Sequence, residues 1–311
     1  MAEGKNSPRA IKNACVFLPE NALLRFFAHE TLFNSIDESR KRESLTFVSI
    51  DEVGRGCLAG PVVVCATLWS TDELKPELTS WYSSLRDSKK ITPARREALF
   101  KVVLEHRLLE KFCQEPPYHR APRLPSTASD EKDKKIANSL LRAPNSVVKF
   151  SGEDLAEMVR RSASSDNANF GLTVASIGSA SAREIDRHGI INALGLAASR
   201  ALTDLPSAFY PETLFFDGNR PLRLSEPWSG LPQILVTKGD DHLKSISASS
   251  VIAKVVRDRW MEKYSEYFPH FGWQENRGYG TENHRLALAK HGPTPLHRIS
   301  FLKNLCPELH P

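Results

Sequence analysis

Three short apolar runs in this chain each end on, or just before, an acid, and no other feature limits the possible folds as much. Phe47-Val48-Ser49-Ile50 runs into Asp51 and Glu52, Leu214-Phe215-Phe216 runs into Asp217, and Ile234-Leu235-Val236-Thr237 leads through Lys238 and Gly239 to Asp240. Runs of this length, rich in β-branched and aromatic residues and bounded by glycine or charge, read as buried strands. An acid at the end of a buried strand is costly to desolvate unless something positive compensates it. Four acids carried to strand ends of one sheet converge on the crevice in which open α/β sheets bind their ligands. Clustered carboxylates repel one another, and the usual remedy is a hard divalent cation. An all-oxygen set suits Mg²⁺ or Mn²⁺ rather than zinc. Two such ions about 4 Å apart activate a water and stabilise the leaving oxygen in phosphodiester cleavage. Taken singly, each acid reads as well as a solvated strand terminus or a helix cap.

The remaining pattern alternates strands with helices, which implies an α/β sheet. Thr46–Asp51 and Pro61–Leu68 are strands joined by a turn holding Gly54, Gly56 and Gly60. Thr92 and Pro93 open a helix to about Leu109, a strand spans Leu172–Ile177, and one helix covers Ala182–Leu202. After the strands at Thr213–Phe216 and Gln233–Thr237, a helix runs from about Ser247 to Tyr264. Residues 1–44 read as an N-terminal extension with a short amphipathic helix around Leu23–Phe33. Residues 45–265 read as the catalytic domain and 266–311 as a helical C-terminal segment. Gln114–Asn145 holds five of the chain's twenty prolines and the charged run Asp130–Lys135, so about 112–168 reads as a flexible surface insertion, with a short helix at Gly152–Ser162.

Composition narrows the function classes. A net charge of +5 over 311 residues is compatible with a polyanionic partner and proves none. The five cysteines are scattered, odd in number and free of any CxxC pair, which argues against a disulfide framework and a structural zinc site and for a reducing, cytoplasmic setting. No apolar run approaches the roughly 20 residues of a membrane span, so no membrane partner is expected.

Seven segments, in order, resemble ribonuclease HII of the type 2 ribonuclease H family. They are Asp51-Glu52-Val53-Gly54-Arg55-Gly56-Cys57-Leu58-Ala59-Gly60-Pro61, Asp87-Ser88-Lys89-Lys90, Asp217-Gly218-Asn219, Lys238-Gly239-Asp240, the helix Ser247–Asp258, Asn276-Arg277-Gly278-Tyr279-Gly280-Thr281, and His297-Arg298-Ile299-Ser300-Phe301. The resemblance implies a ribonuclease-H-like mixed β-sheet flanked by helices, with a helical C-terminal subdomain closing over the substrate. It implies catalysis by two divalent ions, Mn²⁺ or Mg²⁺, held by Asp51, Glu52, Asp217 and Asp240, with Asp51 bridging. The implied substrates are RNA–DNA hybrids and duplex DNA containing single ribonucleotides, cut to leave 5′-phosphate and 3′-hydroxyl ends; no protein partner is named. Substrate contacts are expected from Gly54, Arg55, Gly56, Lys89, Lys238, Ser250, Lys254 and Tyr279. Lys90 and Arg257 are further phosphate contacts. Tyr279 carries a junction-sensing role in the same resemblance, and Asp258 reads as a structural partner of a nearby cation.

Departures from the family pattern are the long N-terminal extension, the insertion, Arg277 where lysine is frequent, and Gly189 where asparagine is frequent, the last expected to touch only helix packing. One rival is the sister class, ribonuclease HIII, disfavoured by the Gly54-Arg55-Gly56 turn, by Asp217 as third acid and by an extension shorter than the N-terminal substrate-binding domain usual in that class. The other is a catalytically inactive hybrid-binding protein, disfavoured by the intact acids.

Overall fold

A computed structural model of the chain describes residues 46–70, 76–109, 141–144, 147–151, 153–155, 171–208 and 211–303. The helix expected at Leu23–Phe33 and most of the 112–168 stretch lie outside these residues. Among the described residues a six-stranded sheet forms from β1 (Thr46–Val53), β2 (Val62–Ser70), β3 (Val147–Phe150), β4 (Gly171–Ala180), β5 (Leu214–Asp217) and β6 (Gln233–Val236), in the order β3-β6-β5-β1-β2-β4. β3, β6, β5 and β1 pair in parallel, while β2 runs antiparallel to both β1 and β4. The sheet is therefore mixed, and the parallel half aligns the ends of β1 and β5 that bear Asp51 and Asp217.

Strand alternation sorts the core into two layers. Phe47, Val63, Cys65, Phe215, Ile234 and Val236 belong to one cluster, and Val48, Ile50, Val64, Leu214, Phe216 and Leu235 to the other. Helices in chain order are α1 (Thr79–Ser84), α2 (Pro93–Glu105), α3 (Ala182–His188), α4 (Ile190–Thr203), α5 (Gly239–His242), α6 (Lys244–Tyr267), α7 (Trp273–Asn276), α8 (Glu282–His291) and α9 (Ile299–Leu302). α6 supplies Ile246, Val251, Ile252 and Val255 to the first layer, and α4 supplies Ala193, Leu194, Ala197 and Ala201 to the second. A run of small residues lets α6 lie close on β1: Ser249 donates its hydroxyl to the Ser49 carbonyl at 2.9 Å.

Two expectations change here. The single helix expected over Ala182–Leu202 is two helices, because Gly189 sits at φ 76°, where its missing Cβ removes the left-handed penalty and the chain turns between α3 and α4. Its role is a helix break and not packing alone. The stretch expected to be a flexible insertion contains β3, an edge strand paired with β6, and buries Leu141, Phe150 and Leu155. Those side chains supply enough apolar surface to hold that part of the stretch on the sheet.

The C-terminal helices are fastened to the glycine turn after β1. Leu58 and Ala59 donate backbone N–H groups to the Gly278 carbonyl, Gly60 donates to Leu296, and Arg298 donates back to Leu58.

Candidate active site

Register places Asp51 opposite Cys65 near the end of β1, with its side chain on the α6 side of the sheet, and Asp217 is the last residue of β5. Asp240 is not on a strand. Lys238, separated from β6 only by Thr237, takes a left-handed conformation (φ 57°), and Asp240 falls in the first turn of α5. There the Asp217 carboxylate accepts the Gly239 N–H at 2.7 Å, which ties β5 to the start of α5. Gly239 lets the chain pass close to Ile246, whose Cδ1 would lie 2.6 Å from a Cβ there.

The four acids interact electrically. Burial, then the charges of Glu52 and Asp217, push the Asp51 carboxyl well above the ordinary carboxylate range, while a hydrogen bond from Ser250 opposes the rise. Glu52 is pushed up to about 7 by burial, with Asp217 adding to the rise and Arg55 opposing it. Burial, then Asp217 and Asp87, push Asp240 to about 7 as well, and Asp217 itself is raised, chiefly by burial. Like charges held together in a low-dielectric setting disfavour ionisation, which a bound cation would reverse. Glu52 Oε2 is buried and has no hydrogen-bond partner among the described residues. An orphaned carboxylate oxygen beside other carboxylates, with oxygen donors only, fits a hard divalent cation.

Asp87 escapes a search confined to strand ends. It caps the short 3₁₀ turn Ser88–Lys90 by accepting the Lys89 N–H at 2.8 Å, and its carboxyl is buried. Oxygens of Asp87, Asp240 and Asp241 lie within 4.8 Å of one another, although Asp241 is already held by Lys90 at 2.5 Å. Lys90 is therefore engaged by a carboxylate. Lys89 stands 3.9 Å from Asp240 with its side chain 80% exposed, and Ser250 is buried against Ser88 at 2.9 Å.

The glycine turn is fixed from behind by two buried arginines. Arg257, expected as a phosphate contact, is fully buried and donates to the carbonyls of Pro61, Ala59 and Arg277, so that expectation is corrected. Arg298 donates to Gly54, Arg55 and Gly60 carbonyls. A Cβ on Gly54, whose φ is +86°, would lie 2.1 Å from Arg257 Nε, whereas nothing lies within 4 Å of one on Gly56. The carbonyls of Gly54 and Arg55 are taken by Arg298, and the face of the turn over Gly56 is open. Tyr279 is 41% exposed, with its hydroxyl beside Cys57 and pushed up to about 12, first by burial. Lys254 pairs with Asp258 at 2.7 Å, and Arg277 reaches Asp258 at 3.9 Å, which gives Asp258 its structural partners. Lys238 is exposed.

The sequence model of the family described as ribonuclease HII matches residues 48–142 and 153–304. The chain belongs to the ribonuclease HII family. A ribonuclease HII of Synechococcus sp. (strain WH7803) is 35% identical over 84% of this chain and 96% of its own length. That of Roseiflexus castenholzii is 33% identical over 83% of this chain and 81% of its own. The ribonuclease H2 from Pyrococcus horikoshii OT3 superposes with a TM-score of 0.49 at 18% identity, covering 85% of this chain and 98% of that one. Within the ribonuclease HII match fall Asp51, Glu52, Asp217, Asp240 and Asp87, the glycine turn, Tyr279 and both buried arginines. In the sequence Asp87 and Arg298 stand out only as members of motifs. The available signal for Asp87 was an acid separated by one residue from a pair of lysines, and for Arg298 a cation set between His297 and the apolar Ile299.

Proposed function

We propose that this chain is an endonuclease that hydrolyses the RNA strand of RNA–DNA hybrids and incises duplex DNA at single embedded ribonucleotides. The observation that carries this reading is the buried carboxylate cluster, with the unpartnered oxygen of Glu52, set beside a glycine turn with an open face. Asp51, Glu52, Asp217 and Asp240 would hold two divalent ions, Mn²⁺ or Mg²⁺, which when bound would lower the pKa of a water and neutralise charge on the phosphate being cut. Asp87 supports Asp240 from the side and orients Lys89 through its backbone N–H.

The protein's own groups supply recognition. With its carbonyls occupied by Arg298, the Gly54-Arg55-Gly56 turn presents amide N–H groups, and the missing side chains let a sugar come close enough for a 2′-hydroxyl to accept from them. Lys89, Lys238, Lys254 and Arg55 offer cations to the phosphates. The Tyr279 ring packs on the sugar at the RNA–DNA junction, so Tyr279→Ala impairs cleavage of a single embedded ribonucleotide more than that of a long hybrid. The domain reading places the substrate between residues 45–265 and the 266–311 segment, in a protein working in the cytoplasm. No helix among the described residues is long and apolar enough to cross a membrane.

The test is incubation with a duplex carrying one ribonucleotide, with Mg²⁺ or Mn²⁺, and mapping of the product ends. Cleavage leaving 5′-phosphate and 3′-hydroxyl ends is expected. Binding without cleavage would overturn the reading in favour of a hybrid-binding protein.

A further inference from the structure

Behind Tyr279 lies a buried pair of histidines whose protonation pattern follows from their neighbours. His284 Nδ1 is 2.9 Å from the Tyr279 carbonyl, which can only accept, so Nδ1 carries the hydrogen. Its Nε2 is then an acceptor, and the Trp273 indole N–H donates to it at 3.1 Å. His297 Nδ1 receives the Thr294 N–H at 2.9 Å, so its hydrogen is on Nε2, which meets His284 Nε2 at 3.0 Å and donates to it. With both rings neutral every ring nitrogen has a partner of the right polarity, His284 Nε2 sharing its one lone pair between the Trp273 and His297 donors. Burial lowers both pKa values, that of His297 to about 3.

This chain of bonds joins two elements assigned to substrate recognition. His297 forms an antiparallel bridge with Ala59 at the end of the glycine turn, and His284 ends on the carbonyl of Tyr279. Tyr279 lies between Gly278 (φ +82°) and Gly280, and its Gly278 side is anchored, since the Gly278 carbonyl accepts from Leu58 and Ala59 and the Tyr279 N–H donates to the Asn276 carbonyl at 2.8 Å. The Tyr279 carbonyl also accepts the Thr281 N–H at 2.8 Å, a bond within the same turn. On the side toward Gly280, His284 is the side chain that ties the Tyr279 carbonyl to Trp273 and His297, both buried.

We propose that His284 is a positioning residue for substrate discrimination: by donating Nδ1–H to Tyr279 it fixes the ring against the glycine turn, and preference for a single embedded ribonucleotide over a long hybrid depends on that bond. This rests on the reading of Tyr279 given above. A ring allowed to wander loses most on the substrate that offers one 2′-hydroxyl in one place, and less on a hybrid that offers one at every step.

Two substitutions separate the bond from the packing. In His284→Asn the side-chain amide lies near the position of Nδ1 and still donates to Tyr279. In His284→Gln the amide reaches the position of Nε2, accepts from Trp273 and His297, and gives up the bond to Tyr279. With kcat/KM measured on both substrates, His284→Gln should lose about tenfold more on the single ribonucleotide than on the long hybrid. His284→Asn should keep the wild-type ratio, and in a Tyr279→Ala background His284→Gln should change the ratio no further. Equal losses by His284→Gln on both substrates, with Tyr279→Ala still selective, would overturn the role of His284 alone. A Tyr279→Ala variant without selective loss would overturn the reading of Tyr279 first. Should either substitution fail to fold, ¹⁵N spectra of the wild-type histidines decide. At pH 7 hydrogen is expected on Nδ1 of His284 and on Nε2 of His297, and the reverse assignment would overturn the proposal.

Discussion

Each carboxylate in the cluster raises the cost of ionising the next, so a single amide substitution separates catalysis from stability. Asp217→Asn keeps the oxygen that accepts Gly239 N–H and removes one charge. Cleavage should fall by several orders of magnitude while hybrid binding, which rests on cations and the groove, changes little. The metal-free protein should respond in the opposite sense. Glu52 and Asp240 titrate near 7 when folded and near 4 when unfolded, so their contribution to stability is present below pH 4 and is lost as pH rises through 7. In chelator, wild-type Tm should therefore decline from pH 5 to 8 on their account, and Asp217→Asn should flatten the decline and melt higher at pH 8. Near-wild-type turnover would remove Asp217 from the ligand set, and an unchanged pH slope would deny the coupling. The buried arginine behind the glycine turn gives a second test. Lysine keeps the charge of Arg298 but places its donors on one nitrogen, which does not span the carbonyls of Gly54, Arg55 and Gly60. Arg298→Lys should lose roughly 2–4 kcal/mol in urea unfolding, and cleavage should fall with it; unchanged stability would show that the clamp is dispensable. The four acids were legible because each closes or closely follows an apolar run, although Asp240 proves to lie in the first turn of a helix. Asp87 and the histidine pair were not, because what makes them matter is proximity across the fold, which no spacing records.

Helices and strands were legible where one face is uniformly apolar, and illegible where a single glycine or a short edge decides. β1, β5 and β6 announce themselves because central parallel strands are buried on both faces. β3 does not, since Val147-Val148-Lys149-Phe150 is four residues long and covered on one flank only. The break at Gly189 was hidden because apolar periodicity continues through it. Glycine also sets how closely α4 approaches the sheet. Gly178 on β4 faces the helix so tightly that a Cβ would lie 1.9 Å from the Ala197 carbonyl and 2.6 Å from the Ala201 N. Both are backbone atoms, so neither can rotate away. Gly178→Ala should push α4 off the sheet and destabilise the protein by more than about 3 kcal/mol, while the fraction still folded retains its cleavage rate because α4 lies across the sheet from α6. Denaturant midpoints and turnover per folded molecule check both halves. A midpoint within error of wild type would mean that the layers shift apart without cost.

For the whole molecule the open question is how much of the long stretch between α2 and β4 the enzyme needs. Its first part carries Pro116, Pro117, Pro122 and Pro125 and the charged run Asp130–Lys135, a composition that buries little. Its later part behaves differently: Leu141 and Phe150 are buried, Arg142 forms an antiparallel bridge with Leu224, and β3 closes the edge of the sheet beside β6. Two deletions should therefore part company. Replacing residues 112–138 by a short Gly/Ser linker leaves the sheet intact, and long loops cost little to shorten or lengthen. That variant should keep its Tm within a few degrees and its kcat/KM on a ribonucleotide-containing duplex within about threefold. Extending the deletion through 151 removes β3 and exposes the outer edge of β6, whose Ile234 and Val236 are fully buried in the intact sheet. Losing those contacts should cost several kcal/mol, lower Tm by roughly 10 °C or more and leave an edge prone to pairing with other chains. If the shorter deletion folds normally and yet loses activity, the proline-rich part touches substrate. If the longer one melts like wild type, β3 is an ornament on a five-stranded sheet that is complete without it.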